Sequence, residues 1–198
     1  MSGTCSAHQD IYSAMGEAHP GYGQEYWDKQ IHDVPLSSVV DRELFIADRC
    51  RSKRVLNIGS TSGGLHEKIK AVAAVVWGID KESADFIMDL DGDFVVPEVS
   101  PELIVAGEIL EHLTNPGSLL QALKWYRAPL VVTIPNAHAS VNIAWTVKGK
   151  ENVNRDHVAW YSYNTAKCLF EKCRWRVSEF YWYNGQPRTA EGLVFVVV

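Results

Sequence analysis

Several things are missing from this 198-residue chain, and each absence removes a class of function. No apolar run approaches the roughly 20 residues that a membrane-spanning helix needs. The opening MSGTCSAHQD has neither a basic region nor an apolar one, so it does not read as a secretory signal, and a cytoplasmic location is expected. Cysteine is scarce. Cys5, Cys50, Cys168 and Cys173 form no C-x-x-C pair, which argues for free thiols and against a zinc site. No set of metal ligands is expected. G-x-G-x-x-G is absent, as is the G-K-[ST] of a phosphate-binding loop. Positive charge is short as well: the net charge is −5. Affinity for a nucleic acid backbone comes mostly from Lys and Arg, so no nucleic acid partner is expected. Internal repeats and low-complexity segments are lacking, and the length suits one domain.

What is present is an alternation of short apolar runs and amphipathic stretches. RVLNIG (54–59), AVVWGID (74–80), ADFIMDL (84–90), PELIVAG (101–107), PLVVTIP (129–135), WRVSEFYWY (175–183) and LVFVVV (193–198) read as seven strands. Helices are expected over 36–50, 64–72, 115–127 and 164–173, the third opened by Asn115 as N-cap and Pro116. Strands alternating with helices imply a doubly wound, mostly parallel α/β sheet. Between Asp80 and Asp89 lie only eight residues, so the second crossover helix should be reduced to a turn. NGQPRTAEG (184–192) is too short for a parallel crossover, so the last strand should run antiparallel. Residues 1–37 read as a separate N-terminal segment, with Tyr22, Tyr26 and Trp27 as a lid over a substrate or as a surface-docked helix. The domain proper spans 38–198.

In such a sheet, ligands sit beyond the carboxyl ends of the strands. Those ends carry Asn57, Gly59, Ser60 and Gly63, then Asp80 with Lys81, then Asp89 and Leu90, then Gly107 and Glu108. An acid at the place of Asp80 suits the two hydroxyls of a ribose.

VLNIGSTSGG, VWGID, PELIVAGEILEHLTNPGSLLQAL and PLVVTIPN together resemble class I S-adenosylmethionine-dependent methyltransferases. The branch they are most similar to is that of the ubiquinone-biosynthesis O-methyltransferases and related small-molecule enzymes. EILEHLTNP is the most specific stretch, and the likeness spans residues 38–183. It implies a Rossmann-like, seven-stranded sheet with S-adenosylmethionine as cofactor. The Gly59–Gly63 loop would wrap the methionine part, Asp80 would hold the ribose, and Asp89 and Leu90 would flank the adenine. Gly107 and Glu108 would line the methionine and ribose side. Arg42 would reach the cofactor end of the pocket, and His157 would face the acceptor. The chain departs from the family's D-x-G-x-G-x-G at Asn57 and Thr61. Loss of that carboxylate removes a charge-assisted contact near the cofactor's ammonium group.

The implied activity is methyl transfer to a small-molecule acceptor, on oxygen or nitrogen. The alternative is a non-catalytic relative that binds cofactor or a protein partner. A nicotinamide-dependent reductase fits poorly, given the missing glycine motif and the reversed last strand. A hydroxyl acceptor needs a general base. Glu108, His112, His138 and His157 are the candidates, each also open to a structural reading. The amino-methylating N/D-P-P-Y signature is absent. Association with a further copy or a protein partner is left open.

Overall fold

The computed structural model describes residues 29, 32–60, 64–92 and 95–198. The chain divides into two units, Met1–Asp33 and Val34–Val198. Tyr22, Tyr26, Trp27, Thr61 and Gly63 lie outside the described residues.

The second unit runs β1 (Ser38–Val39), α1 (Arg42–Cys50), β2 (Arg54–Ile58), α2 (Leu65–Lys70), β3 (Val75–Asp80), β4 (Phe86–Ile87) and β5 (Leu103–Gly107). It continues with a 3-10 turn (Leu110–His112), α3 (Pro116–Leu123), a second 3-10 turn (Lys124–Tyr126), β6 (Leu130–Pro135) and α4 (Ser140–Thr146). It closes with α5 (Tyr163–Lys172), β7 (Val177–Tyr183) and β8 (Gly192–Val197). The strands form one sheet in the order β1-β7-β8-β6-β5-β2-β3-β4. Strand β8 is antiparallel to both β6 and β7, and every other pairing is parallel. The reversed strand and the missing second crossover helix are as the loop lengths required.

Three sequence expectations are corrected, the first two of them at the start of the domain. The sheet has eight strands rather than seven, and the helix expected from residue 36 begins at Arg42. Both follow from one local preference. Val39 and Val40 are β-branched and favour extended backbone, and residues 38–39 pair with the end of β7. Asp41 then caps α1, its carboxylate accepting the Leu44 N–H at 2.9 Å. The run 84–90 contributes only Phe86–Ile87 to the sheet. Asp85 turns back instead, and its carboxylate accepts the Gly78 N–H at 2.7 Å.

The central strands are apolar on both faces, as a doubly covered parallel sheet requires. Alternate residues go to opposite layers. Leu56, Ile58, Ile104 and Ala106 pack under α3 and α5 with Leu119, Leu120 and Phe170. Val55, Leu103 and Val105 pack under α1 and α2 with Ile46, Leu65 and Ile69. Helix α3 starts as expected, with the Asn115 side chain accepting from the Ser118 N–H and Pro116 in the first turn. Helix α5 begins at a Ser162–Thr165 capping box. Among the described residues, no helix is long and apolar enough to cross a membrane.

From β2 the chain winds outward through β3 and β4, then returns to β5 on the other side of β2. The winding therefore reverses between β2 and β5. A crevice opens beyond the carboxyl ends of these two strands, where this topology places ligands.

Candidate functional site

Gly59 follows β2 with φ at +74°, in the left-handed region that favours glycine. A Cβ there would also lie 2.0 Å from the Ile109 side chain, so the residue has neither the backbone freedom nor the space for one. Its N–H donates to the Ile79 carbonyl at 2.8 Å, tying the loop to β3. Beneath the loop, buried Asn57 contacts His66 through its amide nitrogen, 3.0 Å from Nδ1. With the amide donating, Nδ1 is the acceptor and the ring is neutral. Burial and the nearby Lys70 pull the His66 pKa down, which agrees with that assignment. The end of β2 is therefore held by a neutral amide–imidazole pair and carries no acid there.

The crevice encloses about 550 Å³ between Gly59, Asp80, Lys81, Asp89, Leu90, Glu108 and His112. That is ligand-sized. An adjoining hollow of about 300 Å³ lies between Arg42, Asn57, Gly59, His66, Gly107 and Glu108. Among the described residues, the fold gathers the expected cofactor residues into two neighbouring hollows, with Ser60 as the exception. It is buried beneath the loop against Gly78, where a Cβ would meet its hydroxyl at 2.5 Å. The wall beyond Asp89 is fixed by Asp91, whose carboxylate accepts from the Thr114 N–H at 2.8 Å and its hydroxyl at 3.1 Å.

Glu108 borders both hollows. Its φ is +56°, a left-handed conformation that costs a non-glycine residue about 1–2 kcal/mol. One carboxylate oxygen accepts the Tyr183 hydroxyl at 2.8 Å and lies 3.2 Å from the Arg42 guanidinium. Burial and the Glu108 charge push the Tyr183 phenol upward, keeping it a donor. Gly192 allows this contact, because a Cβ there would lie 2.0 Å from the Tyr183 ring.

Three residues later the 3-10 turn delivers Glu111 and His112. Glu111 is 1% exposed, and neither carboxylate oxygen has a hydrogen-bond partner among the described residues. Burial, reinforced by the Glu108 charge and only partly offset by its own backbone N–H and by Arg42, pushes its pKa up to about 8. The segment 154–161 lies across this turn. The Val158 N–H donates to the Glu111 carbonyl at 2.8 Å, and His112 Nδ1 is 3.1 Å from the Asp156 carbonyl. His157 meets His112 edge to face, with ring centroids 4.7 Å apart. Burial and the neighbouring His112 lower the His157 pKa, favouring the neutral ring that ligates metals.

One potential ligand atom each from Glu111, His112 and His157 falls within 4.8 Å of the others. A carboxylate with two imidazoles is a donor set for divalent transition metals. From the sequence no metal ligands are expected, and neither Glu111 nor His66 stands out there. The signal was present as Glu108-x-x-Glu111-His112 with a distant histidine, but spacing alone does not show that a buried carboxylate lacks a partner. His138 stands apart: it is exposed, and its N–H donates to Asn136.

No family model and no curated protein matches this chain. Solved structures do match in fold. The small RNA methyltransferase HEN1 aligns with 92% of this chain at a TM-score of 0.64 and 12% identity. This chain spans only 26% of that protein's length. An S-adenosylmethionine-dependent methyltransferase from Clostridium acetobutylicum aligns over 78% of this chain and 89% of its own, at a TM-score of 0.60 and 8% identity. The Burkholderia thailandensis 1,6-didemethyltoxoflavin-N1-methyltransferase, solved with its acceptor and S-adenosylhomocysteine, aligns over 78% and 74%, at 0.57 and 10%. These neighbours do not single out the ubiquinone-biosynthesis branch.

Proposed function

We propose that this chain, which carries the fold of S-adenosylmethionine-dependent methyltransferases, transfers a methyl group to a hydroxyl with the help of a divalent cation. The carrying observation is the buried Glu111, without a hydrogen-bond partner among the described residues, beside His112 and His157. The fold supports S-adenosylmethionine in the β2–β5 crevice. There Asp80 holds the ribose, Asp89 and Leu90 flank the adenine, and Gly59 and Gly107 shape the methionine side, with Ser60 supporting the loop from beneath. The neutral Asn57–His66 pair replaces the missing acid. Arg42 pairs with Glu108 at 3.2 Å where the two hollows meet.

The sulfonium of the cofactor is already an activated donor. The protein must align an acceptor with the methyl group and exclude water. A neutral amine needs nothing more, whereas an alcohol must lose a proton. A cation bound here would supply Lewis acidity, lowering the pKa of a hydroxyl that reaches it. Glu111, His112 and His157 hold that cation, and His112 also borders the cofactor crevice. This pairing of cluster and crevice favours oxygen over nitrogen as the methylated atom. It also disfavours the non-catalytic alternative, because an unpaired buried carboxylate costs stability unless a ligand uses it.

For the acceptor we take the ribose of an RNA end. The neighbour HEN1 acts on small RNA, and the free 2′- and 3′-hydroxyls at a 3′ terminus form a chelating pair. Recognition of one terminal nucleotide needs few phosphate contacts, which is compatible with a net charge of −5. A small-molecule acceptor is the second reading, favoured by the likeness to the toxoflavin-pathway enzyme.

The test is methyl transfer from radiolabelled S-adenosylmethionine to a single-stranded oligoribonucleotide with a free 3′ diol. Manganese is present in one arm and a chelator in the other. Transfer that needs the metal and fails on a 2′-deoxy terminus is expected. Equal transfer in chelator would contradict the cation, and transfer only to small alcohols would select the second reading.

A further inference from the structure

A hollow of about 220 Å³ lies beside His157 and shares no lining residue with the cofactor crevice. Its walls include Val141, Asn152, Val153, Asn154 and Trp160. The loop after α4 is fastened there. The Asn152 amide donates to the Asn142 side chain at 2.9 Å, and Asn142 in turn donates to the Asn136 carbonyl at 3.1 Å. The hollow therefore offers an aromatic ring, two short apolar side chains and side-chain amides, next to the proposed cation ligand His157. A flat heterocycle with hydrogen-bonding edges matches that lining.

Helix α4 carries the surface outward. None of its residues is buried, and Val141, Ile143 and Trp145 are all exposed. Val141 and Trp145 stand four positions apart and share a face, so Trp145 extends the wall that Val141 begins. Two ammonium groups lie over its ring, Lys148 at 5.0 Å and Lys150 at 5.3 Å from the centroid. With Arg155 the loop 147–156 holds three cations against Glu151 and Asp156, a local excess of positive charge in an acidic chain. Exposed aromatic rings interleaved with cations are the features that hold single-stranded nucleic acid.

We infer that the hollow beside His157 seats the 3′-terminal base of an RNA, and that the strand leaves along α4 over Trp145, its phosphates meeting Lys148 and Lys150. This deepens the reading of the same site as an RNA ribose methyltransferase and rests on it. Trp160 provides the stacking surface in the hollow, and Asn152 and Asn154 face the edge of the base. Neither tryptophan belongs to the cofactor crevice or the cation cluster.

The experiment uses the full chain and a 5′-fluorescein-labelled single-stranded oligoribonucleotide. KM for methyl transfer and the salt dependence of binding are measured for wild type, Trp145→Ala, Trp160→Ala and the double variant Lys148→Ala/Lys150→Ala. Each tryptophan variant should raise KM roughly tenfold, the size of one lost base–aromatic contact. The lysine pair should flatten the log–log salt slope by about 1.4, one released counterion contribution per phosphate. S-adenosylhomocysteine affinity and manganese-induced thermal stabilisation should stay at wild-type values, which also verifies folding. Wild-type methylation of RNA with KM and salt slope unchanged in all three variants would overturn the inference alone. Failure of the wild type to bind or methylate the oligoribonucleotide would overturn it together with the RNA reading. Binding of the oligonucleotide at wild-type strength only when the 3′ end is blocked would also overturn it, because the terminus would then not be the feature recognised.

Discussion

Glu108 and Glu111 leave the same strand three residues apart and meet opposite surroundings. On the cofactor wall Glu108 is held by Tyr183 and Arg42, and the carboxylates around it are similarly engaged: Asp85 with Gly78, Asp91 with Thr114. On the histidine wall Glu111 is more deeply buried, yet both of its oxygens lack a partner among the described residues. A carboxylate that serves the fold finds donors. One kept buried without them is poised for a ligand that brings its own positive charge. The first wall finds its donors within the fold; on the proposed reading the second would be completed by a cation and an acceptor.

The largest effect that could break this contrast belongs to Glu111→Gln. Methyl transfer should fall by at least roughly 100-fold, as loss of a metal ligand exceeds the 10–100-fold typical of its supporting residues. Stability should move the other way. The folded pKa of Glu111, about 8, lies above its ordinary 4.5, so the folded state binds more protons than the unfolded state between these values. Stability of the metal-free protein therefore declines as pH rises from about 4.5 to about 8. Melting curves in chelator should show that decline in the wild type and a shallower one in Glu111→Gln, which should be the more stable of the two at pH 8. Equal slopes would mean that Glu111 is not an isolated buried acid.

Asp80→Ala comes next and probes the other wall. Loss of a charged hydrogen-bonding group should weaken S-adenosylhomocysteine binding about 10- to 100-fold by calorimetry. Manganese binding should be untouched. Unchanged cofactor affinity would remove Asp80 from the site. Gly59→Ala tests the backbone beneath it. A Cβ at positive φ and against Ile109 should cost about 1–3 kcal/mol of stability, measured by denaturant unfolding, and should also weaken the cofactor. A neutral substitution would mean that the loop readily adopts another path. The smallest effect is expected from Tyr183→Phe. Glu108 keeps Arg42, so stability should fall by only about 1 kcal/mol, the net worth of one hydrogen bond. A collapse of folding there would show that the Glu108 network, and not the glycine loop, organises the first wall.

Much of this architecture is legible in the chain. Strand positions follow from apolar runs, and the reversed last strand follows from a nine-residue link. The crevice residues follow from where strands end. Local competition hid the rest. Val39 and Val40 continue the apolar pattern of the following helix, and only pairing with β7 reveals the strand character of Ser38 and Val39. His66 is unremarkable in sequence and gains meaning only when α2 brings it against Asn57. His112 and His157 are distant in the chain, and their meeting depends on the 154–161 segment folding over the 3-10 turn. The isolation of Glu111 is a property of everything around it, which no spacing encodes.

The most direct test is calorimetric titration of manganese into the wild-type chain and into Glu111→Gln, each saturated with S-adenosylhomocysteine. One cation should bind per wild-type chain and none at comparable affinity in the variant. Equal binding to both proteins, or no binding to a wild type that still transfers methyl groups in chelator, would contradict the account.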